Sequence, residues 1–266
     1  MVQLLKYKNI DFDISGTSRS PTKFTEKKIK SYLLNNNNFD PRIKDDLKES
    51  THVLISIPPE METIIIENFL TDLKNNQNLQ WVGYLSSTSV YGDHKGNWVD
   101  ENSNTNPTSE MGLKRLEAEK KLLNSNLPIR IFRLAGIYSL ERNIFSRLKN
   151  NQTKVVNMKN QIFSRIHVED IAQVLLASFF KSKDRDIFNV SDDQPCSYRE
   201  VVEYATLLLK TKMPNEVMFE DLKEGSMKDF YKDRKKVSNK KIKLMGVVLN
   251  YSTYKEGLSA IFNQIS

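Results

Sequence analysis

Tyr84-Leu-Ser-Ser-Thr-Ser-Val-Tyr-Gly-Asp93 is an apolar run that ends in a cluster of hydroxyls. Residues 81–85 (Trp-Val-Gly-Tyr-Leu) favour a strand, and residues 86–89 (Ser-Ser-Thr-Ser) gather where that strand stops. In a parallel α/β sheet, ligands sit just beyond the carboxyl ends of the strands. This stretch therefore predicts a strand that delivers hydroxyls to a binding site.

Strands and helices alternate on either side of it. Upstream, Ile10-Asp-Phe-Asp-Ile-Ser15 predicts a short strand ending at Gly16-Thr-Ser-Arg19, and His52-Val-Leu-Ile-Ser-Ile57 a buried strand stopped by Pro58-Pro59. Residues 60–74 predict a helix, with Ile64, Ile65, Phe69 and Leu73 at helical spacing. The asparagine run 35–38 reads as a loop. Downstream, residues 109–123 predict an amphipathic helix and Ile129-Arg-Ile-Phe-Arg-Leu134 a strand. Helices follow at 169–181 and 198–210, with a strand at 186–190 between them. The alternation predicts an α/β fold with a parallel sheet and helices on both faces.

Composition narrows the function classes. With 266 residues, 39% hydrophobic and 27% charged, the chain suits one large α/β domain or a core with an appendage. No apolar run approaches a membrane span, and the start has no secretory pattern. The single cysteine, Cys196, allows no internal disulfide and suits a reducing cytoplasm, and no Cys/His spacing suggests a metal site. The net charge of +7 is spread among acids and asparagines, which argues against nucleic acid as a partner.

Several segments carry a family likeness. Ser86-Ser-Thr-Ser-Val-Tyr-Gly92 resembles the "SS-x-x-V-Y-G" signature of the extended short-chain dehydrogenase/reductase family, in its NAD-dependent epimerase/dehydratase branch. Phe163-Ser-Arg-Ile-His-Val-Glu-Asp-Ile171 is similar to that family's "R-x-x-H-V-x-D", and Phe188-Asn-Val-Ser-Asp-Asp193 to its "Y-N-V-x-D". The likeness spans nearly the whole chain in the family's order. It implies a Rossmann-like, doubly wound parallel sheet with a small C-terminal substrate-binding part. On that basis residues 1–139, continued by 163–192, form the dinucleotide-binding core, and 140–266 mainly the substrate part. The resemblance also implies a homodimer through the helices at 60–74 and 109–123.

Two departures qualify it. The nine glycines form no Gly-rich turn of the kind that lets a backbone approach a pyrophosphate. The strand at 10–15 matches the family's second strand, so the first strand is expected to be absent, with roughly 20 to 25 residues missing by comparison with a usual β-α unit. A late start codon or a truncated gene would each explain this. The second departure is chemical. In the family a Tyr-x-x-x-Lys pair opens the helix after the serine strand; here Met111 and Arg115 hold those positions. Methionine transfers no proton, and arginine stays charged.

The resemblance and the residues together nominate a site. Ser87 aligns with the active-site hydroxyl, and Asp93-His94, in a polar loop beside it, are the acid/base candidates. Ser18 and Arg19 suit the 2′-phosphate of NADP rather than NAD. Ile57, Pro58 and Pro59 would line the cofactor cleft, and Arg115 would replace lysine at the ribose. Tyr91, Arg165 and Tyr231 are the candidates for a small or nucleotide-linked substrate. Cofactor binding is expected to be weakened or lost without the Gly-rich loop. The expected function is an atypical NAD(P)-dependent epimerase/dehydratase-like oxidoreductase. The alternatives are a non-catalytic NAD(P)-binding sensor or scaffold, or an N-terminally truncated fragment. The lone thiol of Cys196 has no base in its local sequence and reads as structural.

Overall fold

The computed structural model describes residues 1, 4–5, 8–19, 29–35, 38–61, 65, 67–223 and 225–266, without the side chains of 59, 226, 227 and 229. In chain order the elements begin with β1 (Ser15–Ser18), β2 (Lys30–Leu33), α1 (Arg42–Glu49), β3 (His52–Ile55) and α2 (Leu70–Asn75). They continue with β4 (Trp81–Ser87), β5 (Trp98–Val99), α3 (Glu110–Leu123), β6 (Ile129–Leu134) and β7 (Gly136–Tyr138). Next come α4 (Ile144–Lys149), β8 (Val155–Asn157), β9 (Arg165–His167), α5 (Val168–Lys181), β10 (Ile187–Val190) and α6 (Tyr198–Leu209). The chain ends with β11 (Glu216–Met218), α7 (Ser226–Lys232), β12 (Lys236–Val237), α8 (Lys240–Leu244) and α9 (Tyr254–Ile265).

The central sheet has the order β10-β6-β4-β3, and β3 runs parallel to β4 with His52 opposite Trp81. Sheet and helices alternate as a Rossmann-like α/β fold. β6 is buried along its whole length, as a strand covered on both faces must be. Its two arginines are tolerated because each is paired. Arg130 donates to the carbonyls of Pro128 and Gln80 and to Ser182, and meets Asp184 at 2.9 Å. Arg133 is engaged with Tyr91, described below.

The chain divides into two compact units. The first comprises Met1–Leu85, Glu117–Ile131 and Ser182–Asp186; the second comprises Ser86–Leu116, Phe132–Lys181 and Ile187–Ser266. In the first, Tyr32, Leu34, Ile43, Met61 and Phe69 form a core cluster. In the second, one cluster joins Tyr138, Phe145 and Val155 to Val202, Ala205, Leu258 and Ile261. The helices that supply much of it, α6 and α9, each start with a reciprocal capping box, Ser197 with Glu200 and Thr253 with Glu256.

The structure moves some expected elements. The strand expected at 10–15 is β1 at Ser15–Ser18, because only there does a partner exist: β2 pairs with it in parallel from Ser15–Lys30 to Ser18–Leu33. Alternation upstream of Ser15 finds no ladder among the described residues. Within 60–74, residues 65, 67 and 68 are helical, Phe69 breaks the run at φ −123°, and the helix resumes as α2. Residues 62–64 and 66 lie outside the described set. The asparagine loop holds at its described ends, where Asn35 and Asn38 exchange hydrogen bonds. Among the described residues no helix is long and apolar enough to cross a membrane.

Candidate active site

β4 ends at Ser87, whose Oγ accepts the Ser89 backbone N–H at 3.1 Å and caps a single tight turn over Thr88–Tyr91. The turn exits through Gly92 at φ 70°, where a Cβ would also strike the Asn106 carbonyl, so only glycine fits. The first turn of α3 packs against this corner through Gly112. A Cβ there would come within 2.9 Å of the Ser89 carbonyl and of the Pro107 side chain. Gly112→Ala should therefore push α3 off the corner and cost about 1–3 kcal/mol, read as a lower urea midpoint.

Ser87, Thr88 and Ser89 line a cavity of about 690 Å³ whose lining residues all belong to the second unit. Glu110 and Met111 from the start of α3 line it as well, with Leu134 at the end of β6, Ala135 after it and Gly136 at the start of β7. Arg142, Phe163, Ser164, Phe230, Asp233 and Lys235 complete its polar and aromatic walls. The hydroxyl-bearing strand end thus does open onto a cavity.

A second cavity of about 460 Å³ shares Gly136, Arg142, Phe163 and Phe230 with the first. Among the described residues its charged lining is Arg142, Arg147, Lys154 and Arg165, with no carboxylate. Arg165 decides its character, since it is only 7% exposed. Its Nη1 donates to the Cys196 sulfur at 2.8 Å and its Nη2 to the Ser197 carbonyl at 3.4 Å, and it lies 3.7 Å from the Phe163 ring centroid. Among the described residues no carboxylate lies within 4 Å of it. Burial lowers its pKa, a shift that nearby Cys196 and Asp192 oppose. A desolvated guanidinium held only by neutral acceptors is suited to a planar anion such as a carboxylate or phosphate.

The other nominated residues fall elsewhere. Tyr91 is wholly buried: its hydroxyl donates to Asn189 Oδ1 at 2.7 Å and accepts from Arg133 Nη1 at 3.0 Å, while Arg133 stacks 4.9 Å from its ring. It organises the core behind the turn and does not line either cavity. Asp93 and His94 also lie outside both linings. Asp93 accepts from the Arg234 and Lys95 backbones, each at 3.0 Å, and meets Arg234 Nη2 at 3.1 Å. Burial raises its pKa, but Arg234 outweighs that and holds it low, so it anchors the loop as an ionised group. His94 Nε2 meets the Asn104 carbonyl at 3.2 Å. Tyr231 does line the basic cavity, with burial pushing its hydroxyl to about 12. Arg115 is half-buried on α3 but absent from the lining, where Met111 stands instead. In the first unit Ser18 ends β1, Arg19 follows it exposed, and Ile57 and Pro58 are half-buried just beyond β3. The side chain of Pro59 lies outside the described set. Cys196 is buried, and burial pushes its thiol to about 11, so it is no nucleophile.

No protein-family model and no curated protein matches the chain. Solved structures do. A conserved protein of unknown function from Silicibacter pomeroyi is 35% identical, with 99% of this chain and 94% of that chain covered and a TM-score of 0.86. This chain belongs to that protein's family. Its fold is that of the NAD-dependent epimerase/dehydratase enzymes. MoeE5, solved with UDP-glucuronic acid and NAD, is 19% identical over 99% of this chain and 93% of its own, with a TM-score of 0.80. The dTDP-glucose 4,6-dehydratase of Bacillus anthracis, solved with NAD, is 15% identical over 98% and 90%, with a TM-score of 0.81.

The epimerase/dehydratase fold implies a nicotinamide dinucleotide, and the residues present fit one end of it. Ser18, at the end of β1, and exposed Arg19 after it are the residues that would hold an adenosine ribose phosphate. This sequence holds no Gly-rich turn for the pyrophosphate, since Gly16 is its sole glycine before Gly83. Among the residues lining the first cavity, Lys235 is one that sequence reading missed. It lies in a run of basic residues that resembles a solvated face, yet Lys235 and Val237 are buried while Lys236 between them is half-exposed. That alternation is the period of β12, and it is the signal that marks Lys235 as inward. Arg142, Arg147 and Lys154 were missed for a plainer reason: each is an exposed residue on an unremarkable segment, and only the fold brings them to one cavity.

Proposed function

We propose that this protein is an NAD(P)-dependent oxidoreductase of the epimerase/dehydratase kind, acting on an anionic, nucleotide-linked substrate held across the two adjoining cavities. The observation that carries this reading is the lining of the second cavity, four cations, buried Arg165 among them, with no carboxylate among the described residues. A phosphate-linked group seated there would place its attached part toward the residues both cavities share, Gly136, Arg142, Phe163 and Phe230. Ser87, with Thr88 and Ser89, then supplies hydroxyls to orient the reacting carbon's oxygen. Tyr231 forms part of the basic cavity's wall. Ser18 and Arg19 favour NADP over NAD, and a bound nicotinamide would supply hydride chemistry. UDP-glucuronic acid, which MoeE5 binds, is a suitable probe for the substrate cavity.

Met111 favours a second reading, a sensor that binds its ligands without turnover, because it lines the cavity where the family's proton-transferring tyrosine would stand. Calorimetry followed by a turnover assay separates the two. Binding of UDP-glucuronic acid together with NADPH-linked turnover supports the enzyme. Binding with no hydride exchange supports the sensor, and failure to bind any nucleotide sugar or dinucleotide sinks both.

A further inference from the structure

Lys235 is 6% exposed yet lines the hydroxyl-bearing cavity. Its Nζ donates to the Gly92 carbonyl at 2.9 Å and lies 3.4 Å from Asp233 Oδ2. Asp233 is itself held, accepting the Thr108 hydroxyl at 2.7 Å. An ammonium has three donors, and these contacts use two. The amine therefore stands on a fixed platform, at the exit of the Ser87 turn, with one donor uncommitted among the described residues. Asp93 acts on it from the same loop but is paired with Arg234. The other charged groups on the cavity wall are Glu110 and Arg142.

We propose that Lys235 is the proton-transfer residue of this cavity, giving its proton to a substrate carbonyl oxygen presented to the Ser87 hydroxyl cluster. The inference rests on the reading of the cavity as an oxidoreductase site. Reduction of a carbonyl needs a hydride at carbon, from a reduced nicotinamide dinucleotide, and a proton at oxygen. The Lys235 N–H bond breaks, the O–H bond forms, and the amine is left neutral. In the oxidation direction the neutral amine takes the hydroxyl proton back. Lys235 thereby performs the task that Met111 cannot. Burial lowers its pKa, against the opposing pull of Asp233, and a lysine drawn toward neutrality is a better proton carrier near physiological pH.

The alternative is that Lys235 only ties the turn to the 233–237 segment, and the two roles predict opposite titrations. A structural ammonium whose contacts to a carbonyl and a carboxylate outweigh its burial holds its proton and titrates with or above the surface lysines. The test is a ¹³C NMR titration of the lysine CεH₂ groups of the wild-type chain from neutral pH to about pH 11. Lys235 is assigned by through-bond correlation to its own backbone, so no variant has to fold. A Lys235 midpoint below those of the surface lysines is the expected result. A midpoint among or above them overturns the proposal. Calorimetry with UDP-glucuronic acid on the same sample decides the substrate reading separately: loss of that reading leaves the Lys235 titration standing, and an ordinary Lys235 midpoint leaves the binding result standing.

Discussion

Arg165→Met is expected to weaken UDP-glucuronic acid binding on the order of a hundredfold, measured by calorimetry. The argument starts from the position of the charge. An exposed cation gains little from an anion because water already solvates both partners. Arg165 is almost wholly withdrawn from water, its hydrogen-bond partners are a thiol and a carbonyl, and among the described residues the cavity it lines has no carboxylate. Charge-assisted hydrogen bonds at such a site contribute about 1.5–3 kcal/mol each, and 1.4 kcal/mol is a factor of ten. Arg147 and Lys154 line the same cavity but are exposed, so Arg147→Gln and Lys154→Gln should each cost severalfold at most. Arg165→Lys separates charge from shape. It keeps the cation but loses the planar fork, and an intermediate loss is expected. Equal, small losses in all four variants would mean that the anion sits at the rim, and the buried-guanidinium reading would then be wrong. Far-ultraviolet circular dichroism on each variant checks that the fold survives.

How far the sequence alone reaches is clearest at the turn after β4. The hydroxyl cluster, the strand that carries it and the helix at 110–123 are all local patterns, with a period of two or 3.6 written into consecutive residues. Ser87 was legible for that reason. Tyr91 sits in the same motif but has a different fate. Its hydroxyl is consumed by Asn189 and Arg133, residues 98 and 42 positions away, and no local pattern announces such a partner. Asp93 is similar, since its partner Arg234 lies 141 positions downstream. The two-stranded pairings also escape local reading. β5 with β12 and β7 with β9 are pieces of two or three residues whose existence depends on the strand beside them. Arg165 was legible as a candidate through its motif, whereas its burial and its thiol and carbonyl partners were not. The residues that the fold adds to the site, Lys235 above all, come from a segment whose composition looks like surface.

The second large effect concerns Asp192, beside Arg165 in the core. It is 1% exposed; Oδ1 accepts the Gln194 N–H at 3.2 Å, and Oδ2 has no hydrogen-bond partner among the described residues. Burial pushes its carboxyl up to about 7, with the Arg165 charge offsetting only part of that. The folded state therefore prefers the protonated acid. Below the unfolded pKa, about 4, both states hold the proton and the group adds no pH dependence. Between about pH 4 and the folded value the unfolded chain gives up its proton first, so stability falls as pH rises, by up to about 1.4 kcal/mol per pH unit. Asp170, raised to about 6 by burial, acts in the same direction, whereas the lowered His52 and His167 act in the opposite one. The variant Asp192→Asn isolates the single group: it keeps the shape and cannot ionise. Urea unfolding of both proteins across this range should show the variant gaining on the wild type steadily as pH rises, by a few kcal/mol in all near neutrality. Parallel profiles would show that Asp192 is ionised throughout and that Arg165 neutralises it. That outcome would also lower the affinity expected of Arg165 for a ligand, because a guanidinium whose field is spent on Asp192 has less to offer an incoming anion. The two measurements therefore constrain each other: a protonated Asp192 in the folded state is what leaves the Arg165 charge available to the cavity.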